Sequence, residues 1–194
     1  MKKLDRRIKR TRRLLSEALV SLTLESSYDE ISIRSLTQRA DVGYATFYRH
    51  FKSKDELLSY CIRELVRELQ NAIKPEHSNY EASLHVYKLV MRYKKTCRLA
   101  LSLPDDHPAW VQIWAEIREW MIEIYSARDE TNIPQEIALN HLVKSCKELV
   151  RWWLFHGQGY SPEQMATMQS ELVLDVINNV ALDSRNRVTN TPTP

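Results

Sequence analysis

Glycine is the residue this chain almost lacks, with 3 in 194 positions, while apolar side chains recur every third or fourth residue through long stretches. A chain so short of the residue that makes tight turns is restricted to long regular elements, and the three-to-four rhythm makes those elements helices. Pro104, Pro108, Pro134 and Pro162 stand at the edges of the periodic runs, where a residue without an amide hydrogen is tolerated. The runs predict helices over 4–26, 33–39, 44–50, 55–73, 80–103, 108–128, 134–157 and 162–183, and so an all-α fold. The last has the clearest start: Ser161 as cap, Pro162 at the first helical position and Gln164 three residues past the cap. Residues 184–194 lose periodicity and read as a flexible tail.

Charge is divided unevenly along this helical chain. Residues 1–54 carry 13 Lys and Arg against 6 Asp and Glu, whereas the other 140 residues are net acidic, although the whole is only +3. Such a layout suits a module that meets a polyanion at one end, with nucleic acid the leading candidate. Lys2, Lys3, Arg6, Arg7, Lys9, Arg10, Arg12 and Arg13 concentrate that charge in the first helix. They would add salt-dependent affinity for phosphates without sequence information; the alternatives are a solvated helix face or a lipid surface. The three cysteines, Cys61, Cys97 and Cys146, are odd in number and widely spaced. They form neither a disulfide framework nor a metal-ligand pattern, and reduced thiols in a cytoplasmic protein are the expectation. No run reaches the roughly 20 apolar residues of a membrane span, so no membrane role is expected. No nucleophile–base pair, phosphate loop or metal cluster stands out, so neither enzyme activity nor a cofactor nor a metal is expected.

Two short helices with a three-residue interruption between them form the most informative local pattern. Ser32 can cap 33–39, Asp41-Val42-Gly43 breaks the helix, and 44–50 follows. Ser53-Lys54-Asp55-Glu56 then reads as a capping box for a long helix whose Leu57, Leu58, Cys61, Ile62, Leu65, Val66, Leu69 and Ile73 carry it towards the rest of the chain. Helix, tight turn, helix is the outline of a helix-turn-helix, in which the second helix brings its first turn to base edges in the major groove.

The stretch 31–58, ISIRSLTQRADVGYATFYRHFKSKDELL, resembles the DNA-binding domain of the TetR family of regulators. The resemblance implies that Tyr44, Ala45 and Thr46 form the base-facing edge and that Phe47 and Phe51 pack against the first and fourth helices. It further implies that Tyr48, His50 and Lys54 reach the phosphate backbone, that Arg34 contacts a base or the backbone, and that Gly43 and Arg49 belong to the same surface. Two residues depart from the commonest pattern. Asp41 stands where glycine usually permits a left-handed residue, a conformation Asp tolerates better than most. Gly43 stands where Ser or Thr usually caps the recognition helix, which removes a hydroxyl but leaves an acceptable cap.

These readings divide the chain into a helix-turn-helix domain (1–54), a helical ligand-binding and dimerisation domain (55–183) and the tail. In the larger domain Tyr87, Met91, Trp110, Trp114 and Met121 offer the aromatic and thioether character of an adaptable pocket for a small apolar or aromatic effector, against the plainer reading of core packing. By resemblance, the final two helices pair with those of a second copy. Trp152, Trp153, Met165, Met168, Leu172 and Val176 are the candidate contacts, with intramolecular core as the alternative. A homodimer would set two recognition helices about 34 Å apart and read an inverted-repeat operator on double-stranded DNA. The expectation is a repressor released by its effector; the alternative is a dimeric DNA- or partner-binding module without one.

Overall fold

The computed structural model describes residues 2–184 apart from 75, 129, 130 and 158. The tail expected at 184–194 lies outside the described residues except for Ser184. Helix α1 (Lys2–Leu22) buries Leu15, Ala18, Leu19 and Leu22, one stripe at three- and four-residue spacing. It stops short of residue 26 because the Thr23 and Ser26 hydroxyls donate to the Val20 and Leu22 carbonyls, closing the last turn locally. Helix α2 (Ile33–Arg39) begins where its cap predicts. Ser32 Oγ accepts from the Ser35 amide at 3.0 Å, and the Ser35 hydroxyl accepts from the Ser32 amide, so a serine replaces the usual Glu or Gln of the capping box. Helix α3 (Tyr44–His50) and helix α4 (Lys54–Ala72) follow. At the start of α4, Ser53 Oγ accepts from the Glu56 amide, while the Glu56 carboxylate accepts from the amide of Lys52.

The periodic run 80–103 is two helices, α5 (Asn79–Arg92) and α6 (Lys94–Ser102), with Tyr93 between them at φ −112° and ψ 32°. No glycine or proline marks this break; tertiary packing makes it. Among the described residues, those up to 64 together with 95–113 form one compact unit, and 65–94 with those from 114 onward form another. The boundary expected between 54 and 55 therefore falls inside the first unit, which recruits α6 and the start of α7 (Pro108–Ile124) from far along the chain.

In the first unit α1, α2 and α3 pack on one another around Leu15, Leu19, Leu36, Phe47, Leu57, Leu58 and Ile62, all buried. A second set of contacts ties α4 to the approach to α7. The Tyr28 hydroxyl donates to Asp55 Oδ1 at 2.7 Å, the Tyr28 ring lies edge-on to His107, and Ser59 Oγ donates to the Ala109 carbonyl.

In the second unit α5 packs on α9 (Pro162–Gln169), which starts at the predicted Ser161 cap. It runs through a π-helical turn (Ser170–Leu174) into α10 (Asp175–Val180). Buried polar groups join these helices: Tyr87 donates to Gln169, Gln169 to Ser83, and Asn79 and Ser170 to the two oxygens of Asp175. Helix α8 (Gln135–Phe155) contributes Ala138, Leu139 and Leu142 to a core with Val173, Leu174 and Ile177.

The patterns 108–128 and 162–183 both lose their last residues to strands β1 (Tyr125–Ala127) and β2 (Leu182–Ser184), paired antiparallel with Tyr125 opposite Ser184. Each helix end has carbonyls without intrahelical donors. Pairing the two exit segments serves their backbones while Tyr125 and Leu182 enter the same apolar core. The all-α expectation holds apart from these short strands. The three thiols are free, and burial pushes Cys61 up to about 11 and Cys97 and Cys146 up to about 12, which keeps them protonated and unreactive.

Candidate nucleic-acid interface

The turn before α3 is built as its residues predict. Asp41 takes the left-handed conformation, at φ 52°, and the Val42 amide returns to the Thr37 carbonyl. Gly43 is the N-cap of α3 in an extended conformation and supplies no side-chain bond. Behind the helix, Phe47 is fully buried and Phe51 nearly so, with their rings 6.0 Å apart, and Phe51 also meets Tyr60 of α4. This anchor leaves the opposite face of α3 outside: Gly43, Tyr44, Ala45, Tyr48 and Arg49 are exposed, and Thr46 and His50 are half-buried. Seven-residue α3 is too short to hold itself in helical form, so the aromatic anchor sets its position.

The side chains on that face are linked. The Tyr44 and Tyr48 hydroxyls lie 3.3 Å apart with their rings edge to face at 5.3 Å. Arg49 Nη2 donates to Thr46 Oγ1 at 2.7 Å. Arg34 is exposed on α2. With Thr37, Gln38, Asp41, Val42, Gly43 and Tyr44 it lines an open concavity of about 520 Å³. Thr37 and Gln38 are not among the residues expected from the sequence; for exposed Gln38, its place four residues after Arg34 on a short helix was the available signal.

Lys54 has a different occupation from the one expected. Its ammonium donates to the carbonyls of Tyr28, Asp29 and Ile31 at 2.6, 3.3 and 3.0 Å and sits 4.3 Å from the centre of the Tyr28 ring. An ammonium has three protons, and here all three hold the 28–31 turn. Lys54 is thus a pin between α4 and the entry to α2, with no donor left over for a phosphate in this arrangement.

The basic run of α1 also divides by environment. Arg6, Arg7, Lys9, Arg10 and Arg13 are exposed, and Arg13 pairs with Glu17 at 3.6 Å. The side chains of Lys2 and Lys3 lie outside the description. Arg12 instead turns inward, its guanidinium 5.7 Å from the centre of the Phe51 ring and 5.3 Å from that of Tyr60. Partial burial holds the His50 imidazole below its ordinary value, with the charges of Arg12 and Arg49 adding to the effect.

The candidate effector residues belong to both units. Trp110, in the first, is buried and donates its indole N–H to the Ala100 carbonyl. Tyr87, in the second, is fully buried, bonded to Gln169 and edge-on to Trp153. Both have the bonding of core residues. Met91 is exposed, Trp114 lies under the Lys147 ammonium at 5.5 Å, and Met121 packs against the α8–α10 core.

The candidate interface residues separate as well. Trp153 and Met165 are buried within the second unit, which corrects their assignment as contacts with another copy: their neighbours are intramolecular. Trp152 is exposed beside Tyr160, and Met168 is half-buried. Leu172 is 66% and Val176 52% exposed, and Val180 continues the same four-residue spacing. Among the described residues no helix is long and apolar enough to cross a membrane.

Comparison with known proteins gives a consistent result. Residues 14–61 match the family described as bacterial regulatory proteins, tetR family. The chain is 34% identical over 179 residues to the uncharacterized HTH-type transcriptional regulator YxbF of Bacillus subtilis (strain 168), covering 85% of this chain and 45% of that protein. It is 29% identical over 83 residues to the HTH-type dhaKLM operon transcriptional activator DhaS of Lactococcus lactis, covering 43% of this chain and 42% of DhaS. The chain thus spans less than half the length of these curated relatives. Among solved structures, a TetR transcriptional regulator from Streptococcus agalactiae 2603V is similar with a TM-score of 0.62 and 24% identity, over 87% of this chain and 96% of that one. A TetR-family regulator from Syntrophomonas wolfei is similar with a TM-score of 0.64 and 15% identity, over 87% and 95%. These structural likenesses establish the fold.

Proposed function

We propose that this chain, whose residues 14–61 match the bacterial regulatory proteins of the tetR family, is a DNA-binding transcriptional regulator that reads an inverted-repeat operator as a homodimer. The observation that supports DNA reading is α3 itself. Phe47 fastens one side of the helix, and the other side offers Tyr44, Ala45, Tyr48 and Arg49 to solvent next to the Arg34–Gln38 edge of α2. Hydroxyls and guanidinium groups on a short, braced helix suit base edges and phosphates together. Selection of duplexes from a random library tests this: dyad-symmetric sites should be enriched, and Tyr44→Ala should change preference at one base position by about 1–3 kcal/mol. No enrichment over random sequence would end the reading.

Dimerisation is supported by the stripe Leu172, Val176 and Val180 with Trp152 near the end of α8. Exposed aliphatic side chains at helical spacing are a characteristic helix-to-helix contact surface. Leu172→Asp should convert a dimer to a monomer in sedimentation without unfolding it.

Repression with release by a small molecule is the regulatory reading, and it is carried by the family resemblance. With Tyr87 and Trp110 occupied as core, Met91, Trp114 and Met121 are the remaining effector candidates. An effector must bind the DNA-incompetent state more tightly than the competent one. A duplex-bound chain released by compounds from a metabolite set, with Trp114→Ala weakening that release, would bear this out; indifference to every compound would favour the effector-free module. Activation is the second reading, because DhaS, 29% identical to this chain over 83 residues, is named an activator. Reporter expression with the operator placed before or within a promoter separates the two.

A further inference from the structure

We infer that Arg12, laid against Phe51 beside His50, is a preset binding point for a phosphate of the DNA backbone at the C-terminal end of α3. The inference rests on the DNA-binding reading and goes beyond a general attraction of α1 for polyanions, because it singles out one arginine by its surroundings. Among the described residues, the Arg12 Nε is buried without any hydrogen-bond partner. Two other arginines of the unit are paired with carboxylates: Arg39 forms a two-pronged pair with Glu25, and Arg13 pairs with Glu17.

What holds Arg12 is aromatic. Its guanidinium is within 6 Å of the ring centres of Phe51 and Tyr60, and the His50 imidazole approaches the same Phe51 ring at 6.4 Å. Rings attract the cation through their π faces and leave its N–H edges without acceptors. A partly desolvated guanidinium in that condition is unfavourable until an anion arrives, and its planar fork matches two phosphate oxygens. His50 provides the adjacent donor. Burial first, and then the charges of Arg12 and Arg49, hold its imidazole below its ordinary basicity. The phosphate would lie at the C-terminal end of α3 beside His50. The competing account is that Arg12 only clamps α1 to the Phe51–Tyr60 pair.

Two measurements on the full chain decide between these accounts. The probe is a duplex selected by the wild-type protein, with an unrelated duplex of equal length beside it. Arg12→Met keeps much of the packing and removes the charge. It should weaken both duplexes by a similar several-fold factor and lower the slope of log affinity against log salt by about 1; Arg12→Lys should restore most of the slope. A wild-type slope in Arg12→Met, whatever its melting temperature, overturns the proposal. If Arg12→Met does not fold, the Arg12 Nε–H resonance of the wild-type chain decides: it should shift and gain protection from exchange when duplex is added, and an unchanged resonance at saturation overturns the proposal. A wild-type chain that binds neither duplex at low salt removes the regulator reading itself, whereas normal wild-type binding with an unaltered Arg12→Met slope removes only this inference.

Discussion

The exposed face of α3 and the exposed stripe along the π turn and α10 have similar accessibilities and opposite chemistry. Tyr44 and Tyr48, about half exposed, carry hydroxyls and have Arg49 for a neighbour, whereas Leu172, Val176 and Val180 carry only methyl groups. A tyrosine can leave its ring on protein and its hydroxyl in water or on a phosphate, so its exposure is compatible with a wet, charged partner. A leucine gains only from another apolar surface. Exposure alone therefore does not identify an interface, and the polar tips decide which of the two faces suits nucleic acid and which suits protein.

The largest expected effect separates core from surface within one continuous helical run. Met165→Ala should lower unfolding free energy by about 2–5 kcal/mol, because the side chain is fully buried. Leu172→Ala should leave the unfolding free energy of a dilute, dissociated chain within about 0.5 kcal/mol; comparable losses at both positions would dissolve the distinction. Next comes Lys54→Met, which should destabilise the first unit by about 1.5–3 kcal/mol through loss of charge-assisted bonds to three carbonyls. The salt slope of DNA binding should stay unchanged, and a flatter slope would return Lys54 to the phosphate-contacting face.

A smaller effect is pH-dependent. The His50 imidazole titrates below its ordinary value in the folded chain, so the unfolded chain takes up that proton first as pH falls. Its contribution to stability is complete above about pH 6.5 and declines as pH drops through the unfolded value. A phosphate beside His50 acts in the opposite direction and favours the imidazolium. Duplex affinity should therefore rise as pH falls from about 7.5 to 6, and His50→Gln should abolish the increase in a titration of affinity against pH.

The smallest effect is expected at the cap of α3. A Cβ on Gly43 would meet Thr46 Oγ1 at an ordinary 3.5 Å, so Gly43→Ser fits and should stabilise the chain by a few tenths of a kcal/mol. If the new hydroxyl faces phosphate, the gain in duplex affinity should exceed the gain in thermal stability, and equal gains would confine its effect to the cap.

Much of the local structure could be read from residues in order. Ser32, Ser53 and Ser161 each marked a helix start, Asp41 took the left-handed turn, and Phe47 and Phe51 faced inward. These are local effects, in which a hydroxyl serves an amide three residues on or a short side chain tolerates a backbone conformation. The α5–α6 break at Tyr93 and the unwinding at 125–127 and 182–184 had no such marker, since both arise from packing with distant residues. The same limit explains Trp153 and Met165. Apolar residues on a helix announce that they will be buried, but not whether their own chain or another will cover them.

The order of helices, most of their caps and the basic, tyrosine-bearing edge of α3 follow from the sequence alone, because each depends on neighbours within a few residues. Tertiary structure decided which cations remain available: Lys54 is drawn to the carbonyls of a turn more than twenty residues earlier, and Arg12 is laid across two rings about forty and fifty residues later. A charge has a sign in the sequence, but its partner is chosen by proximity in three dimensions, and that proximity determines which groups can still bind something else.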